Sequence, residues 1–137
     1  MKRWWLWLVL AGCGPRSLAD LDPALFESTP TYASQVAPLY GRSCITCHSS
    51  DGLRAGGVEL DRYDSAYAGR VHQVCTAINV EVRDRYAAVL LPTPRQGESR
   101  GPCEGWELES MPTGAVRALS LEEQVILGRW LELGAPP

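Results

Sequence analysis

The sequence predicts an all-α protein with a loop-rich middle segment, on three observations. Apolar residues recur at helical spacing behind capping residues near both ends of the chain, at 29–43 and 120–133. No run of β-branched residues suggests a parallel sheet. Between the helical ends, Leu91-Pro92-Thr93-Pro94-Arg95-Gln96-Gly97 and Ser99-Arg100-Gly101-Pro102 are too rich in proline and glycine to hold regular structure. A chain of 137 residues is one domain's worth of protein, or a domain plus appendages. With 21% charged residues, 45% hydrophobic residues and a net charge of −3, it is neither a disordered chain nor a strongly basic nucleic-acid binder.

The first element is not part of the fold. Lys2-Arg3 precedes the apolar run Trp4-Trp5-Leu6-Trp7-Leu8-Val9-Leu10-Ala11-Gly12, the pattern of a secretory signal. The run is far shorter than the roughly 20 apolar residues that span a bilayer. Its end, Leu10-Ala11-Gly12-Cys13, resembles the lipobox of bacterial lipoproteins, in which the cysteine is acylated and becomes the first mature residue. That resemblance implies a signal peptide at 1–12, lipidation of Cys13, and residence on the periplasmic side of a bacterial membrane. Gly14, where an aspartate often retains such proteins at the inner membrane, favours the outer membrane. Without Lys2 and Arg3, 11 arginines face 16 acids, a net charge of −5. Residues 13–29, with Pro15, Pro23 and several acids, read as a flexible tether leading to a domain over 30–137.

Thr29-Pro30 reads as an N-cap followed by proline at the first helical position. Tyr32, Val36, Leu39 and Ser43 then share one helical face, and Pro38 predicts a kink. This helix leads into Cys44-Ile45-Thr46-Cys47-His48, a C-x-x-C-H run, the attachment signature of c-type haem. Two thiols at this spacing can form thioethers with both vinyl groups of one porphyrin, and the next residue offers its imidazole to the iron from the same side. A thioredoxin-like dithiol would need a βαβ context, which the pattern lacks. A zinc site would need further ligands at zinc spacing, and Cys75 and Cys103 are isolated and distant.

The pattern Tyr32-x-x-x-Val36-x-Pro38-Leu39, the C-x-x-C-H run, a later Met111-Pro112 and a C-terminal helix ending in Trp130 resembles monohaem c-type cytochromes, in particular the planctomycete-type, lipoprotein-borne branch. The likeness covers roughly residues 30–135 and implies a small cytochrome c fold with two terminal helices crossing. It implies one covalent haem c on Cys44 and Cys47, with His48 as the proximal iron ligand. In that family the Met-Pro pair sits where the distal ligand arises, which points to Met111. Pro112 and Gly114 place this methionine on a loop. The alternative distal ligand is His72, the other histidine of the chain, in the predicted helix Ser65–Cys75. With no proline between Cys47 and Leu91, the carbonyl that orients His48 is expected from the Asp51-Gly52…Gly56-Gly57 loop. Tyr63, Tyr67, Tyr86 and Trp106 are candidates for the pocket wall, or plain core.

Cys75 and Cys103 flank the loop-rich middle, and an oxidising compartment predicts a disulfide between them. In the chain-entropy model such a loop is worth about 3–4 kcal/mol. Ser120-Leu121-Glu122-Glu123 is a capping box opening a helix to Leu133, stopped by Gly134. Its apolar arc holds Leu121, Val125, Ile126, Leu127, Trp130, Leu131 and Leu133, and Gly128 leaves room for a close neighbour.

The function these readings predict is one-electron transfer between redox partner proteins, not an enzymatic reaction. The alternatives are a haem-based gas sensor or haem enzyme with a labile sixth ligand, and a haem module docked permanently in a larger redox complex. The acidic balance suits partners with basic docking faces, and no basic stripe points to nucleic acid.

Overall fold

A computed structural model of the chain describes residues 17–79, 81–83, 85, 86 and 117–137, with 70–72 and 74 described at the backbone only. These residues are helical and contain no strand, as the all-α reading expects.

The chain is already packed where a tether was expected. A 3-10 turn at Leu18–Asp20 leads to α1 (Pro23–Phe26), whose N-cap Asp22 accepts the Ala24 N–H at 2.9 Å. Leu21 is buried, and Leu18, Leu25 and Phe26 pack against the core. Arg129 donates to the Ser28 carbonyl at 3.1 Å, and the Leu18 N–H donates to Glu81 at 3.1 Å. The Arg85 guanidinium lies 4.1 Å from the centre of the Phe26 ring. Four apolar side chains in this stretch gain more by burial than a free linker would, so the folded body begins no later than residue 17.

The first long helical segment is capped by Thr31 rather than Thr29. Thr31 and Ser34 exchange side-chain-to-backbone bonds at 3.2 and 3.3 Å, and Pro30, just outside the cap, is fully buried. The kink expected at Pro38 takes the form of a widened π turn, Tyr32–Val36, followed by α2 (Ala37–Ser43). Pro38 has no N–H to continue the ladder, and the Val36 N–H reaches back five residues to Thr31. The predicted face is buried in full: Tyr32, Val36, Leu39 and Ser43, joined by Tyr40.

The helix expected over Ser65–Cys75 is two helices, α3 (Tyr63–Ala68) and α4 (Arg70–Ala77). Gly69, with ψ of 4°, breaks the ladder between them, as the weakest helix former of the stretch. A further helical stretch, α5, is described at 81–83, 85 and 86, and the chain ends with α6 (Leu121–Glu132). The Ser120–Glu123 capping box forms as predicted, with bonds of 3.3 and 2.8 Å. Leu133, expected on the apolar arc, is instead 40% exposed, because it lies beyond the last turn where Gly134 turns left-handed at φ +84.

The core centres on Trp130, fully buried and 6.2 Å from the Tyr32 ring. Tyr32 also meets Tyr63 edge-on at 5.7 Å. After Gly134 the chain folds back over these rings. The Pro136 carbonyl accepts both the Tyr32 N–H (2.9 Å) and the Trp130 indole N–H (2.8 Å), and the Ala135 carbonyl accepts the Tyr63 hydroxyl at 2.9 Å. The neighbour that uses Gly128 is the Tyr86 ring rather than the N-terminal helical segment.

A methyl group at Gly128 would lie 2.5 Å from the Tyr86 ring, whereas one at Gly41, in α2, meets nothing within 4 Å. Gly128→Ala is therefore expected to destabilise by about 1–3 kcal/mol through overpacking. Gly41→Ala is expected to stabilise by about 0.5–1 kcal/mol through helix propensity. Denaturant unfolding of both variants checks the pair, and equal effects would contradict the packing described.

Candidate functional site

The C-x-x-C-H run begins where α2 ends. The Cys44 N–H donates to the Tyr40 carbonyl at 2.8 Å, and Cys44 then leaves helical geometry at φ −128. The chain continues as a single turn in which the Cys44 carbonyl accepts the N–H of Cys47 (3.2 Å) and of His48 (3.0 Å). Residues 44 and 48 thereby share one side of the turn. The following loop ties this turn down. Ala55 donates to the Cys47 carbonyl at 2.8 Å and Leu60 to the His48 carbonyl at 2.7 Å. The loop can turn back because Arg54, Gly56 and Gly57 all take positive φ. Its base is closed by Asp61, which accepts the Ser50 N–H at 3.0 Å and its hydroxyl at 2.6 Å. These bonds hold the Asp61 carboxyl below its ordinary pKa.

Cys44 and His48 line one small, largely apolar cavity, with room for little more than a water molecule. Tyr40 of α2, Val58 and Leu60 of the loop, and Gln73, Thr76 and Ala77 of α4 form most of the remaining wall. Leu119, just before α6, completes it. Cys47 shares the turn and is half-buried but does not line the cavity. The tyrosines expected in the wall are elsewhere: Tyr63 and Tyr67 face each other at 6.1 Å, and Tyr86 covers Gly128. The tyrosine that does line it, Tyr40, stands one helical turn before Cys44, so its spacing carried the signal. Gln73 carried none, because a buried glutamine looks like any exposed one in a sequence.

Both thiols of the motif are free. Burial, then Glu123 and Cys47, push the Cys44 thiol up to about 11. Glu123 is itself ionised below the usual carboxylate range. Burial opposes this, but the Ser120 N–H and the Arg42 and Arg117 guanidiniums outweigh it, Arg42 at 2.9 Å. A dithiol oxidoreductase needs a lowered thiol pKa in its attacking cysteine, and Cys44 is shifted the opposite way.

The His48 Nδ1 is buried and has no hydrogen-bond partner. No carbonyl of the 51–57 loop reaches it: the bond between that loop and the turn runs the other way, from the Ala55 N–H to the Cys47 carbonyl. The turn thus brings two thiols and an imidazole together, with Cys44 and His48 beside one apolar cavity and Nδ1 as the unmet ring nitrogen. Among the described residues no cluster of three or more His, Cys, Asp or Glu could hold a metal ion.

The remaining predicted residues are placed only in part. Cys75 lies on α4 and is disulfide-bonded. Its expected partner Cys103 lies outside the described residues, as do Cys13, Trp106 and Met111. His72 lies on α4, one position before the cavity residue Gln73, and its side chain is outside the description. No described helix is long and apolar enough to cross a membrane. The chain matches no family model, no curated protein and no solved structure.

With a pKa of about 11 against an ordinary 9.0, the folded Cys44 holds about 100-fold less thiolate at pH 8 than an unperturbed cysteine. In chain carrying free thiols, iodoacetamide is therefore expected to modify Cys44 slowly at pH 8 and much faster toward pH 11. The unfolded thiol ionises first, so the stability this proton contributes is present below pH 9 and falls as the pH rises toward 11. Rapid alkylation of Cys44 at pH 8, mapped by mass spectrometry, would contradict the buried thiol.

Proposed function

We propose that this chain is a lipid-anchored, monohaem c-type cytochrome that transfers single electrons between redox proteins on the periplasmic side of a bacterial membrane. The observation that carries the reading is that Cys44 and His48, from one C-x-x-C-H turn, line the same cavity. In this reading Cys44 and Cys47 bind the porphyrin covalently, His48 is the proximal ligand, and Met111 the distal one, with His72 as the alternative. The all-α body, with helical segments near both ends of the chain meeting at Tyr32 and Trp130, is compatible with a small cytochrome c fold.

The haem, when bound, supplies reversible one-electron chemistry at iron. The protein's own residues do the rest. The tied turn keeps His48 beside the cavity, and Val58, Leu60, Ala77 and Leu119 give that cavity an apolar lining. Raised above its ordinary pKa, Cys44 stays a neutral thiol until its thioether forms. A disulfide from Cys75 to Cys103 would brace α4, which forms one wall. The acidic balance suits donors and acceptors with basic docking faces.

Ferric and ferrous spectra of protein made in a host that matures c-type cytochromes test this. The expected result is covalent haem, low-spin in both states, with the weak far-red iron–sulfur band and no response to carbon monoxide. A low-spin spectrum without that band assigns His72, a high-spin spectrum that responds to carbon monoxide moves the reading to a sensor or enzyme, and no covalent haem overturns it. Met111→Ala is expected to keep the haem and lower the midpoint potential, because thioether sulfur favours ferrous iron. Cys13→Ser is expected to release the protein from membrane fractions, and persistent membrane association would overturn the lipoprotein reading.

A further inference from the structure

Two residues of the cavity wall are polar and almost wholly buried: Tyr40, 1% exposed, and Gln73, 4% exposed. They are joined. The Tyr40 hydroxyl donates to Gln73 Oε1, and Gln73 Nε2 donates to the Ala66 carbonyl at 2.8 Å. One side chain thus bridges α2, α3 and α4 beside the C-x-x-C-H turn, whose first residue hangs on the Tyr40 carbonyl. No described hydrogen bond uses the second N–H of Gln73 Nε2, and the Tyr40 oxygen keeps acceptor capacity. Packing alone does not call for this arrangement. Leucine and phenylalanine would fill the same space without desolvating an amide and a phenol.

We propose that Gln73 is a positioning residue for the group that Cys44 and His48 hold, fixing the Tyr40 phenol in the wall and setting the polarity of the cavity. The inference rests on the haem reading above and adds to it which residues tune the site. An oxidised haem centre carries one more positive charge than a reduced one, and a wall of amide and phenol dipoles solvates that charge better than an aliphatic wall. Gln73 and Tyr40 therefore hold the midpoint potential down, and they act as a unit because each orients the other.

The test compares full-length haem-loaded wild type with Gln73→Leu, Tyr40→Phe and the double variant. Each single substitution is expected to raise the midpoint potential at unchanged haem content, and the double variant to shift it by less than the sum of the two. A wild-type potential in all three, with only the thermal midpoint lowered, would make the pair structural and overturn the proposal. Where a single variant does not fold because the partner side chain is stranded, the double variant strands neither side chain, losing only the Gln73 bond to the Ala66 carbonyl, and carries the same comparison. A wild-type chain without covalent haem overturns the underlying haem reading, and is seen before any variant is compared.

Discussion

The site depends on two backbone hydrogen bonds, from Ala55 to the Cys47 carbonyl at 2.8 Å and from Leu60 to the His48 carbonyl at 2.7 Å. A single turn at the end of a seven-residue helix would fray by itself, because its carbonyls have no partners further along the helix. Here the loop after His48 returns to supply them. The return needs three residues with positive φ, Arg54, Gly56 and Gly57, and two of these positions are glycine. Only Arg54 bears the cost of left-handed geometry with a side chain, about 1 kcal/mol. Its guanidinium meets Glu59 at 3.1 Å and donates to the Ser50 carbonyl at 3.0 Å, so the same residue closes the loop it strains.

Through Leu60 the loop reaches the centre of the core. Its carbonyl accepts the buried Tyr32 hydroxyl at 2.8 Å, while the Tyr32 backbone N–H is held by Pro136 from the other end of the chain. Tyr32 therefore touches the site loop with its tip, Trp130 with its ring and the C-terminal tail with its backbone. A disturbance at any of the three is felt at His48 through one side chain and one loop residue. The core and the site are one packing problem, which is why the site has little slack to adopt another geometry.

What was legible in the sequence follows from what is local. The Ser120 capping box and the buried face Tyr32, Val36, Leu39 and Ser43 each depend on residues within one or two turns, and each forms as read, while the C-x-x-C-H run is a single turn at the end of a helix rather than at the start of one. Where two local signals competed, the sequence could not rank them: Thr29 and Thr31 are both fair caps, and Ser34 decides for Thr31 by returning its bond. Gly69 had a weak local effect that a longer periodic pattern concealed. The misread tether failed for another reason. Prolines and acids at 13–29 look like a linker, but Leu18, Leu21, Leu25 and Phe26 bind a surface made by α5 and α6, which no local rule reveals. The cavity wall was hidden in the same way, since Gln73 and Leu119 meet Cys44 only in the folded chain.

The unmet groups around the motif argue about its chemistry. Among the described residues, buried side-chain atoms without a partner are few, and two of them, Ser43 Oγ and His48 Nδ1, flank the cysteines. Each such atom costs about 1–3 kcal/mol, a sizeable fraction of the stability of a domain this size. Leaving both unmet on either side of the cysteines is costly for a purely structural turn, and the raised Cys44 thiol makes the turn a poor dithiol catalyst. A bound porphyrin would satisfy neither atom directly. Ligation through the other ring nitrogen would draw on the imidazole directly, and would leave Nδ1 as an N–H donor without a carbonyl to push against. An imidazole lacking that push is a less basic ligand, so it favours the ferrous state. On the haem reading, His48 and the Tyr40–Gln73 wall would then pull the potential in opposite directions around the value that the distal ligand sets.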